Sequence, residues 1–182
     1  IGALFRYNKI KWSWLPRHIL LYIQEVYHTI YGLHLFYIDG LGHIHTEFYV
    51  NSIHTTLVNF FTIVYQGTAT PRFSVIARYD PNNPATEYMG FSFSSSAGSE
   101  NVYATCSWSL NTWVSLDITR DADGYTNVYV NGVKLATSTN TYVWPAVSNY
   151  LYIGARSGSG SPVQVFKLRL RNCFFSKGSI KL

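Results

Sequence analysis

The sequence predicts an all-β protein, an antiparallel β-sandwich, on three observations. Short apolar and aromatic runs recur from residue 37 onward, separated by turn residues and with no helical spacers. The pair Asn131-Gly132 falls between two such runs, and a two-residue hairpin needs positive φ at both of those positions. The composition is 17% aromatic with 15 tyrosines but only 13% charged, which excludes disorder. A coiled coil is excluded because Ala, Glu, Lys and Leu do not dominate. A chain of 182 residues favours one domain with an appended segment, and it needs neither metal nor disulfide to make a core.

The expected strands, in order, are Thr46–Val50, Thr56–Tyr65, Arg72–Tyr79, Tyr88–Ser94, Val102–Ser107, Trp113–Thr119, Thr126–Val130, Val133–Ala136, Tyr150–Ala155 and Val163–Asn172. Breaks are supplied by Gln66-Gly67-Thr68, by Asp80-Pro81-Asn82-Asn83-Pro84 and by the Ser/Gly run 95–99. Arg156 to Pro162 (RSGSGSP) reads as a flexible loop. The segment 1–36 stands apart, rich in large apolar residues with basic punctuation, and is expected as an assembly or edge segment on a domain spanning 37–182. Within it, apolar positions 19, 22, 23, 26, 30 and 33 fit a helical stripe, whereas the abundance of Ile, Val and Tyr favours a strand. Helix is the expectation for 17–31, with Pro16 before it and Gly32 as its stop.

Ile1 to Trp14 has no apolar run and small-residue site of the secretory kind. The most apolar window, Ile19 to Ile38, contains Gln24, Glu25, His28 and His34, so no transmembrane segment is expected. The net charge of +5 is mild and scattered. Lys167, Arg169 and Arg171 alternate and would share one strand face; such a row could contact a phosphate or sialylated partner, but a solvated face of an outer strand is the expectation. No nucleic-acid motif accompanies it, and no nucleic-acid partner is expected.

One stretch carries a resemblance. Trp113 opens a strand (WVSLDIT), Arg120-Asp121-Ala122-Asp123-Gly124 turns it, and YTNVYVNG follows over 125–132. Tyr150 to Arg156 (YLYIGAR), Phe166 to Asn172 and Phe175 to Ile180 come next, while Thr46 to Val50 (TEFYV) lies upstream. This order resembles the laminin G-like / concanavalin A-like jelly-roll superfamily over residues 37–181. The resemblance implies a two-sheet jelly roll. It leaves activity open among lectins, adhesion modules, glycanases and viral surface proteins, because fold does not fix function.

Chemistry is constrained by what is missing. Glycanases of this type need paired carboxylates, resembling one another in an alternating Glu-x-Asp-x-Glu strand. Here only Glu25, Glu47, Glu87 and Glu100 occur, and no two acids alternate on a strand. No nucleophile elbow, zinc-protease or phosphate-loop motif appears, so no enzyme is expected. Asp121 and Asp123 could begin a calcium loop, but the rest of the loop and its distal glutamate are missing, and a tight turn is the expectation. Calcium is thus the one cofactor left open. His43 and His45 would share a strand face and could grip a transition metal or act as a pH-sensitive patch. No carboxylate or cysteine in the sequence is placed to complete that set, so surface histidines are the expectation. Cys106 and Cys173 could form one disulfide or be two small buried apolar residues.

Aromatic side chains are the remaining binding candidates. Trp113 is expected in the core, and Trp144, Tyr142, Trp108 and Tyr103 are the candidates for a ligand surface. Trp12, Trp14, Ile19, Tyr22, Ile23 and Val26 are the candidates for assembly, since exposed apolar surface of that size marks an interface. The expectation for function is a non-enzymatic extracellular, cell-surface or virion-surface protein. It would be a structural or adhesion subunit that self-associates into an oligomer or filament. The alternative is a monomeric lectin-like module binding a glycan or a cell-surface glycoprotein.

Overall fold

The computed structural model describes residues 10–15, 18–26, 30–33, 41–51, 59–67, 71–144, 151–153, 155–158, 161–165 and 168–177. Two antiparallel sheets form a sandwich of the jelly-roll kind. The strands are β1 (Ile10–Leu15), β2 (His18–Val26), β3 (Ile30–Leu33), β4 (Leu41–Val50), β5 (Asn59–Gln66), β6 (Arg72–Tyr79), β7 (Tyr88–Ser95) and β8 (Gly98–Thr105). They continue with β9 (Trp113–Arg120), β10 (Thr126–Val130), β11 (Val133–Thr137), β12 (Leu151–Ile153), β13 (Ala155–Gly158), β14 (Ser161–Val165) and β15 (Leu168–Lys177). One sheet has seven strands in the order β1-β2-β15-β4-β9-β10-β11, the other six in the order β3-β12-β5-β6-β7-β8.

The helix expected over 17–31 is not formed: 18–26 and 30–33 are strands. The apolar stripe misled because spacing within one segment does not reveal its pairing partners: β2 is held between β1 and β15 by backbone hydrogen bonds. Ile, Val and Tyr follow their own preference there. Strands of the first 36 residues thus take places in both sheets, β3 beside β12. Trp12 and Trp14 lie on β1, the outermost strand, while Ile19, Tyr22, Ile23 and Val26 lie on β2. The RSGSGSP loop is corrected too, since Ala155–Gly158 and Ser161–Val165 pair as a separate hairpin. Asn131 and Gly132 do sit at φ 50° and 79°, the positive pair the β10–β11 turn requires.

Alternation sets the core. Ile44, Thr46, Phe48 and Val50 of β4 are buried, as are Val114, Leu116 and Ile118 of β9. The apolar ones among them meet Phe73, Val75, Met89, Phe91 and Val102 of the six-stranded sheet in one cluster. Two tryptophans expected at a ligand surface fill this core. Trp108 packs its ring against Phe48, Phe61 and Tyr79, with centroids 5.2–5.9 Å apart, and donates Nε1–H to the Arg78 carbonyl at 3.0 Å. Trp144 is 2% exposed, lies 4.7 Å from Phe91, and donates Nε1–H to Thr126 Oγ1 at 2.7 Å. Buried indoles that find such an acceptor add apolar area without stranding a donor.

One corner is held by carboxylates rather than by the core. Glu87 is buried, and its Oε2 accepts the Trp108 backbone N–H at 3.1 Å while Oε1 accepts that of Asp80 at 3.4 Å. Asp80 accepts from Thr86 Oγ1, Arg78 Nη2 and the amides of Asn82 and Asn83. Replacing Glu87 by Ala strands buried amide donors at a cost of about 2 kcal/mol, or a melting temperature lower by roughly 4–8 °C. Thermal unfolding of the variant beside the parent chain measures this, and an unchanged midpoint would contradict the bridging role.

Candidate functional site

The outward face of the seven-stranded sheet carries an ordered set of polar and aromatic side chains. Residues that alternate with the core positions emerge there. On β4 these are His43, His45, Glu47 and Tyr49; on β9, Trp113, Ser115, Asp117 and Thr119. Strand pairing lines them into rows across β15, β4 and β9. Arg169, Tyr49 and Trp113 form one row, Arg171, Glu47 and Ser115 the next, and Phe174, His45 and Asp117 the third. Directly opposed side chains are close enough to interact.

The first two rows make an aromatic and cationic patch. Tyr49 and Trp113 lie 5.5 Å apart, centroid to centroid. The Arg169 guanidinium stands 5.4 Å over Tyr49 and that of Arg171 4.1 Å over Trp113. Such cation–π contacts hold a guanidinium over a ring face. Arg171 donates Nε–H to Glu47 Oε2 at 2.5 Å, and Asn172 donates Nδ2–H to Glu47 Oε1 at 2.8 Å. Burial by itself would raise the Glu47 carboxyl. The bonds from Asn172 and Arg171 outweigh it and hold the group below its ordinary range. Trp113 is thus on the outer face, not in the core as expected, because Val114 takes the inward position at the start of β9.

In the third row Asp117 closes the histidine set. His43 Nε2 lies 2.9 Å and His45 Nδ1 2.6 Å from Asp117 Oδ1. Burial pushes the Asp117 carboxyl up, but the two imidazoles outweigh it and hold it well below the carboxylate range, so it is ionised and accepts both bonds. Phe174 covers the pair, stacked on His45 at 5.0 Å and edge-on to His43 at 4.7 Å. Three donor atoms from His43, His45 and Asp117 lie within 4.8 Å of one another. This overturns the expectation that no carboxylate is placed to complete the set. Spacing within β4 revealed the two histidines. Asp117 lies 72 and 74 residues further on, and only the β4–β9 pairing joins them.

The other expected site residues fall elsewhere. Tyr103, on β8, stacks on Tyr88 at 4.5 Å and hydrogen-bonds Asn101. Tyr142 lies against Gly98 and the core. Asp121 is used by its own turn: Oδ1 accepts the Tyr125 amide at 2.8 Å, and Oδ2 accepts from Asn127 at 2.9 Å. Asp123 is exposed in the same turn. Cys106 and Cys173 are both free thiols, which corrects the disulfide alternative. Cys173 is fully buried beside Thr46 Oγ1 at 3.1 Å, and burial pushes its thiol up to about 12.

Residues 44–169 match the family model of the concanavalin A-like lectin/glucanases superfamily, and the chain belongs to that superfamily. No curated protein matches the chain by sequence. Among solved structures it is similar to the CBM40 module of Ruminococcus gnavus IT-sialidase bound to α2,3-sialyllactose. That match has a TM-score of 0.63 at 12% identity and covers 89% of this chain and 91% of the module. It is also similar to Trypanosoma rangeli sialidase, with a TM-score of 0.52 at 19% identity, covering 78% of this chain and 21% of the enzyme. A third likeness is to the receptor-binding domain of botulinum neurotoxin type G, with a TM-score of 0.53 at 14% identity, covering 91% and 37%. At such identities these likenesses carry the fold alone.

Proposed function

We propose that the chain is a non-enzymatic, lectin-like module that binds acidic glycans through the outward face of its seven-stranded sheet. The observation that carries this reading is the Arg169–Tyr49–Trp113 row set beside Arg171 and Glu47. Guanidiniums held over the two rings suit a ligand carboxylate through their remaining N–H groups, and the rings add apolar surface beside them. The Ruminococcus module of like fold was solved with a sialylated trisaccharide, which supports an acidic sugar as the ligand class. The mild positive charge of +5 favours encounter with such a ligand. Non-catalytic status is supported by the same face, where the paired acids that glycanases use are replaced by salt-bridged and histidine-bonded carboxylates.

A glycan array followed by titration calorimetry with α2,3-sialyllactose tests the reading. The intact chain is expected to bind sialylated glycans, and Arg171→Ala and Trp113→Ala each to weaken binding about tenfold or more. Tyr103→Ala and Tyr142→Ala should leave binding unchanged. Absence of binding to any acidic glycan would contradict it.

A second reading, a surface subunit or adhesion module that self-associates, has one observation in its favour. Among the described residues β1 is the outermost strand of its sheet, and it carries Trp12 and Trp14. An open edge can accept a strand from a neighbouring copy. Sedimentation of the intact chain is then expected to show association that grows with concentration. A monomer at every concentration would remove this reading.

A further inference from the structure

The aromatic and arginine rows account for the proposed glycan face but leave the third row unexplained. There two imidazoles converge on a single carboxylate oxygen. We infer that His43, His45 and Asp117 constitute a binding site for a divalent transition metal of the zinc class, with at least one coordination position left to water or an outside ligand.

Donor chemistry selects the ion. Two imidazole nitrogens and one carboxylate oxygen are the set that zinc and its late-transition neighbours prefer, whereas calcium and magnesium take all-oxygen sets. The geometry fits as well. A tetrahedral ion with ligand bonds near 2.0–2.1 Å needs donor atoms roughly 3.3 Å apart. The present contacts are 2.6 and 2.9 Å, and no pair among the three exceeds 4.8 Å, so the required spacing lies inside the observed spread. His45 and Asp117 are direct cross-strand partners, and His43 is the next outward residue on β4. All three therefore ride on paired strands at the centre of a sheet, which fixes their backbones.

A carboxylate and an apolar wall flank the site. His45 has its other ring nitrogen, Nε2, 3.9 Å from Glu47 Oε1, too far for a hydrogen bond but within reach of the carboxylate's charge, which favours a metal-bound imidazole. Glu47 is itself fixed by Arg171 and Asn172. Phe174 forms an apolar wall over both rings, and His43 is 6% exposed. Its Nδ1 is buried without a hydrogen-bond partner among the described residues, so no neighbour there pins the ring to one tautomer. Ser115 Oγ at 3.4 Å is the group next to the second Asp117 oxygen, which leaves that oxygen weakly engaged and able to turn toward an ion. The site does not depend on the glycan reading.

The test uses the intact chain, stripped with chelator and dialysed against zinc, with bound metal counted by mass spectrometry and affinity measured by calorimetry. One equivalent of zinc is expected. Asp117→Asn and His45→Asn should each weaken it by more than about tenfold, since losing even an outer-shell partner costs that much. A variant in which His18, His28, His34 and His54 are all replaced by Gln should keep it. Cobalt in place of zinc should give visible absorption bands that Asp117→Asn abolishes, with circular dichroism confirming that the variant is folded. Zinc-free protein after dialysis, or zinc retained equally by Asp117→Asn and His45→Asn, would overturn the site.

Discussion

The arrangement of the outer face depends on one irregularity in β15. Asn172 sits at φ 52° within a strand, a left-handed conformation that asparagine tolerates far better than branched residues. There Asn172 and Cys173 together oppose Thr46, while Arg171 opposes Glu47 and Phe174 opposes His45. This is a β-bulge, which inserts one residue and re-aims the side chains beyond it. It lets Arg171 and Asn172 both reach Glu47. It also turns Cys173 into the core beside Thr46 and places Phe174 outward over the histidines. A regular strand would send one of these side chains to the wrong side.

The division of aromatic residues follows from the same alternation. Trp108 and Trp144 lie in loops and had no strand parity to send them outward; both go into the core, each with its indole N–H satisfied. Trp113 lies on a strand whose inward positions belong to Val114, Leu116 and Ile118, so it faces out. The bulky apolar interior is therefore closed by loop tryptophans at its ends. The sheet face is left to a tryptophan and a tyrosine that two arginines cover.

Much of the fold could be read from local chemistry. Arg72–Tyr79 and Thr126–Val130 match the expected runs, and Asn131-Gly132 makes the turn its residues demand. The family resemblance read from the VYVNG hairpin and its flanking strands is the family that residues 44–169 match. What local reading could not reach was pairing between distant strands. The apolar residues of 18–26 look helical until β1 and β15 flank them. Likewise His43 and His45 look like surface histidines until Asp117 arrives from β9. The outer face was the least legible part, because each of its rows draws on strands remote in sequence, and the deciding bulge is one asparagine with no motif around it.

The concanavalin A-like sandwich thus presents here a sheet face with an arginine-aromatic half and a histidine-carboxylate half, joined through Glu47. Everything assigned to that face requires the two-for-one register at Thr46. Nuclear Overhauser contacts across β4 and β15 measure it directly. The account predicts backbone contacts linking Glu47 with Arg171 and His45 with Phe174, with Thr46 facing Asn172 and Cys173 together. Contacts linking His45 with Cys173 instead, as an uninterrupted ladder would give, would contradict it.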